Sequence, residues 1–101
     1  MEEKTKIALL AIKSSYGTEA GEYGATLFVS HHLGELEPSY WEKHTGSQSP
    51  SHEDVLNMLI VKEVWSDGSS IDFSLPEEVT DYILSVSFSE NGDIDEISME
   101  S

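Results

Sequence analysis

The side chains of this sequence best suited to chemistry are four histidines and twenty carboxylates, with no cysteine beside them. A zinc site needs imidazoles converging on one ion, typically one helical turn apart. His31 and His32 are adjacent, and on an extended strand adjacent side chains point to opposite faces. His44 and His52 stand eight apart, across a segment punctuated by Gly46 and Pro50. No metal site and no cofactor are expected from this spacing.

The acidic run Glu90-Asn91-Gly92-Asp93-Ile94-Asp95-Glu96 has the look of a calcium loop. With Gly92 at the sixth loop position, the first, third and twelfth positions fall on Ser87, Ser89 and Ser98, where such a loop requires acidic ligands. The run reads instead as a tight turn with acidic flanks. Serines are plentiful, but no Gly-x-Ser-x-Gly elbow presents one as a nucleophile. No carboxylate pair is singled out for acid–base work, so no catalytic residue is assigned and a non-enzyme is expected.

What the carboxylates can do together is set up a field. The formal net charge is −15, and residues 51–101 hold 13 acids against the single cation Lys62. Such a surface repels nucleic acid and anionic lipid and steers cationic proteins toward itself. All five cations are lysines, so the bidentate guanidinium fork that grips phosphate is missing. A basic protein partner is the expectation, with neither nucleic acid nor membrane. The acidic start Met1-Glu2-Glu3-Lys4 and the six-residue apolar run from Ile7 suit neither a signal peptide nor a membrane span, which points to the cytoplasm.

The 101 residues suit one domain, 1–101, and 38% hydrophobic residues set the chain apart from a disordered acidic tail. Residues 5–13 are apolar on both alternating faces, as in a strand buried on two sides, although periodicity alone does not separate so short a run from a helix. After a glycine-rich turn, Ala25 to His31 reads as a second strand completing a hairpin. Residues 34–50 read as a connection with an aromatic anchor at Tyr40-Trp41. Trp41 is either a lid over the core or a contact residue, whereas Trp65, after a strongly apolar run, belongs to the core or its margin.

Ser51, Glu53 and Asp54 mark the start of a short helix ending near Met58, which feeds a strand. A two-residue turn at Asp67-Gly68 sets Val64 opposite Ile71, Ile60 opposite Leu75, and Glu63 against Asp72, a repulsive pair acceptable only where water screens it. Asn91-Gly92 predicts a type I′ turn with Glu90 opposite Asp93. Val86 then meets Ile97 and Leu84 meets Met99 on the buried face, and Ser87 meets Glu96 outside. The fold expected is α+β, an antiparallel sheet of five or six strands with one short helix against it.

His31 through Trp41 (HHLGELEPSYW), the stretch Glu53 to Leu59, Phe73-Ser74-Leu75-Pro76 with Val79-Thr80-Asp81-Tyr82, and the closing Ile97-Ser98-Met99-Glu100-Ser101 together resemble a family of small acidic bacterial proteins of unassigned function. In size and charge the chain is also similar to immunity proteins that neutralise toxins of contact-dependent growth inhibition and related polymorphic toxin systems. That likeness of class implies a basic toxin domain as partner, most plausibly a nuclease, whose substrate cleft an acidic surface would cover. The residues expected at such an interface are Tyr40 or Trp41 as anchor, Glu53 and Asp54 at the helix start, and Glu90, Asp93, Asp95 and Glu96 on the last hairpin. The competing expectations are an acidic housekeeping interaction protein and, third, a small metal-dependent or hydrolytic enzyme.

Overall fold

The computed structural model describes residues 2–65 and 68–100. Four helices, α1 (Glu2–Ser15), α2 (Ala25–Glu35), α3 (Pro38–Thr45) and α4 (His52–Asn57), precede four strands, β1 (Ile60–Val64), β2 (Ser70–Ser74), β3 (Ile83–Phe88) and β4 (Ile94–Glu100). The strands form an antiparallel meander in the order β1-β2-β3-β4, with the helices packed on one face. The α+β class is as expected, but among the described residues the sheet has four strands where five or six were expected, and four α-helices replace one.

The difference lies in the first half. The N-terminal apolar run is α1, where Ala8, Ile12 and Ser15 recur at helical spacing on the buried side while Ile7 and Leu10 stay exposed. Ala, Leu and Lys are among the strongest helix formers, and that preference decides a pattern that alternation left open. The expected second strand is α2, whose Ala25, Phe28, Val29 and His32 form one buried stripe. The expected connection contains α3, bracketed by Pro38 in its first turn and by Gly46 just beyond its end, with φ of 81°. Proline and glycine act there as helix punctuation.

The expected short helix is α4. Ser51 Oγ accepts from the Asp54 N–H and an Asp54 carboxylate oxygen accepts from the Ser51 N–H, a reciprocal capping box.

The sheet's inner face carries two cross-strand rows, Val64·Ile71·Val86·Ile97 and Val61·Phe73·Leu84·Met99. Their central members join Ala8, Ile12, Phe28, Val29, Trp41, Val55 and Leu56 in a single core. Val64 opposite Ile71 and Glu63 opposite Asp72 are the expected pairs. Ile60 is opposite Ser74 and not the expected Leu75, because a bulge at Lys62 adds one residue to β1. The first residue of the expected Asp67-Gly68 turn lies outside the described residues.

In the last hairpin the core pairs have the expected register by a different route. The Gly92 N–H donates to the Ser89 carbonyl and the Ser89 N–H to the Asp93 carbonyl, while Gly92, with φ of 86°, is the residue in the left-handed region. This is a three-residue loop in place of the expected two-residue type I′ turn. The one-residue shift is reversed by a bulge at Asp95, so Ser87 again meets Glu96 and Val86 meets Ile97. On the far edge, the segment before α2 meets β4 at one point: the Met99 N–H donates to the Tyr23 carbonyl at 3.0 Å. A Cβ on Gly24 would come within 2.8 Å of the Ile97 carbonyl oxygen, so the close approach requires glycine.

Candidate protein-binding face

With the α-helices on one side only, the second face of the sheet carries no helix, although Asp72 on it is buried. Glu63, Asp72, Ser85 and Ser98 form one row across all four strands. The next row is Ser70, Ser87 and Glu96, joined by Trp65, whose N–H donates to the Ser70 carbonyl. Glu100 follows opposite Ile83. The face is thus made of carboxylates, serine hydroxyls, one indole and the aliphatic Ile83, and no basic residue occupies these rows. Lys62 is held out of the ladder at the bulge and exposed.

The four hairpin carboxylates expected at an interface lie together at this end of the molecule. Glu90 is the first residue of the loop, Asp93 closes it opposite Ser89, Asp95 occupies the bulge, and Glu96 extends from the open face. Glu53 and Asp54 are apart from them in α4, within the helical layer, where Asp54 is engaged in capping. Among the described residues the ion pairs are Lys43 with Glu77 at 2.7 Å and His44 with Glu77 at 2.6 Å. The hairpin carboxylates take part in neither.

The structure separates the two tryptophans. Trp41 is 1% exposed and belongs to the core, the lid of its two readings, so it is not available as a contact anchor. Trp65, expected in the core or at its margin, directly follows the edge strand β1 and is 51% exposed. Tyr40 is partly buried, and its hydroxyl donates to the Pro76 carbonyl at 3.0 Å. Burial, aided by the Glu77 charge, pushes its phenol up to about 12.

Sequence reasoning assigned no role to Trp65 and Asp72, although the anticipated Glu63–Asp72 pairing was a signal. Asp72 is only 6% exposed, so water does not screen it. Its Oδ2 takes a long bond of 3.4 Å from the Trp65 indole N–H, and its Oδ1 is buried with no hydrogen-bond partner among the described residues.

The histidines are dispersed on helices. His32 is buried in α2; its Nδ1–H donates to the Phe28 carbonyl at 2.7 Å, and Nε2 of the neutral ring accepts from the Thr80 hydroxyl at 2.9 Å. Burial lowers its basicity below the ordinary value, partly offset by the Phe28 bond. His31 packs edge-on to Tyr82, with ring centroids 4.8 Å apart, and His52 stacks on Tyr16 at 4.0 Å. No helix among the described residues is long and apolar enough to cross a membrane.

No family model, curated protein or solved structure matches this chain. What fold and site define is a class: a small α+β protein with a helix-free, carboxylate-rich sheet face.

Proposed function

We propose that this chain is an immunity-type protein that binds a cationic bacterial toxin domain, most plausibly a nuclease, and covers its substrate cleft. The observation that carries the reading is the helix-free sheet face, where Glu63, Asp72, Glu96 and Glu100 accompany serine hydroxyls and an exposed indole with no cation in the same rows. A nuclease presents basic residues where it holds phosphates, and a pleated face lined with carboxylates offers such residues opposite charges. The test is protection: a gene for a basic toxin domain should lie immediately upstream, and co-expression of this chain should restore growth to cells producing that domain. Raising salt from about 0.05 to 0.5 M should slow association at least about tenfold. A rate indifferent to salt refutes the electrostatic basis.

A second reading, a small hydrolytic or metal-dependent enzyme, draws on a cleft of about 430 Å³ lined by His31, His32, Glu35, Asp81 and Tyr82 among others. Metal analysis and a hydrolase screen with His31→Ala as control would decide it. The housekeeping alternative, charge for solubility alone, predicts that neutralising the open face leaves every interaction of the protein intact.

A further inference from the structure

An acidic face is common on a protein of this charge; a buried carboxylate on it with one oxygen unpartnered and no cation in an ion pair with it among the described residues is not. Asp72 lies on the central strand β2, 94% removed from solvent by the 6% exposure above, with Oδ1 unpartnered among the described residues. Directly across the ladder on β1 stands Glu63, a like charge, and on β3 Ser85, a neutral hydroxyl. Like charges directly opposite one another are unfavourable, and an ionised carboxylate out of water without a cation is costly. Beside this pair the Trp65 indole is half exposed and touches the carboxylate only through its N–H at 3.4 Å. The chain contains no arginine; Lys62 is displaced at the bulge, and the Lys4 ammonium donates to the Gly68 carbonyl at 3.1 Å.

We propose that Trp65, Asp72 and Glu63 form a receptor for a single arginine side chain of the protein partner. The guanidinium stacks on the indole face, and its planar fork donates to the Asp72 and Glu63 carboxylates. Arginine suits the arrangement better than lysine because it combines stacking with paired donors and sheds its water more readily. A second copy of the chain is excluded as occupant by its net charge of −15 and its lack of arginine. The proposal rests on the reading of the chain as a binder of a basic protein and names where the decisive contact falls.

The experiment is a titration of the intact protein with hexa-arginine and hexa-lysine peptides at about 0.05 M salt, followed by the indole N–H and backbone amide resonances. Hexa-arginine should saturably shift the Trp65 indole and the Asp72 and Glu63 amides and bind about tenfold more tightly than hexa-lysine. Asp72→Asn should remove that preference, and Glu63→Gln, on the exposed edge strand, should weaken it without touching the core. Saturable binding confined to the Glu90–Glu96 region, or equal affinity for the two peptides, overturns the receptor while leaving the basic-partner reading in place. Failure of both peptides to bind overturns the two together.

Discussion

Trp65 and Asp72 form an unequal couple: a half-exposed indole donates a single 3.4 Å bond to a carboxylate that is itself almost fully buried. The contact is at the long limit for a hydrogen bond and leaves the second oxygen of Asp72 without a partner among the described residues. Asp72→Asn keeps the volume and removes the charge opposite Glu63. It should raise the unfolding free energy by about 1 kcal/mol in urea titrations, where loss of a well-paired carboxylate would lower it. A gain in stability coupled to loss of arginine binding would mark Asp72 as retained for recognition.

The two tryptophans give separable optical signals. Acrylamide should quench Trp65 efficiently and Trp41 hardly at all, and Trp65→Phe should abolish the quenchable fraction. Trp41→Ala should cost ~3–5 kcal/mol, as for a large side chain removed from a packed core, whereas Trp65→Ala should change stability by less than ~1 kcal/mol.

His32 makes stability depend on pH. Its basicity is depressed in the folded state, chiefly by burial and further by His31, with the Phe28 carbonyl and Glu35 opposing. The unfolded chain therefore binds the proton more readily, so this contribution is complete above the ordinary value of 6.5 and is lost as pH falls below it toward the folded-state value. Protonation would also turn Nε2 from acceptor to donor toward Thr80, whose hydroxyl oxygen already accepts the Tyr82 N–H at 3.2 Å. Urea midpoints should fall between pH 7 and pH 5.5, and His32→Gln should flatten that slope. The loss due to Glu77, whose carboxyl Lys43 and His44 hold below its ordinary value of 4.5, should set in only under more acidic conditions.

The turn after β2 contains two successive residues with positive φ, Glu77 at 67° and Glu78 at 50°. Non-glycine residues occupy that region at a cost of roughly 1–2 kcal/mol each. Glu78→Gly should therefore stabilise the protein by up to ~1 kcal/mol, part of the relief being offset by the greater freedom of the unfolded chain. Glu77→Gly should gain less, because the same change removes the partner of Lys43 and His44. Thermal unfolding of the two variants side by side would show the difference.

The second half of the fold was legible because its signals are local. A serine–aspartate capping box, strict alternation in β3 and the Asn-Gly turn each act within a few residues, and the pairs Val86–Ile97, Leu84–Met99 and Val64–Ile71 follow from them. The two deviations of the last hairpin cancel, which is why the core register was right although the turn type was not. The helical half was misread for a different reason: TKIALLAIK is apolar enough to satisfy either period, and only packing shows that Ala8 and Ile12 face inward while Leu10 does not. For the candidate face, the hairpin carboxylates could be found by counting charges. Trp65 could not, since an apolar neighbourhood in sequence carries no information on whether a strand lies at the margin of its sheet.

The bulge at Lys62 has a consequence for behaviour in concentrated solution. It sets a protruding ammonium and a half-step break in the ladder at the β1 margin of the sheet. An extended chain arriving there meets backbone groups out of phase with its own, so stacking into fibrils is frustrated at its first contact. Straightening that margin by deleting Lys62 would give a protein prone to polymerise.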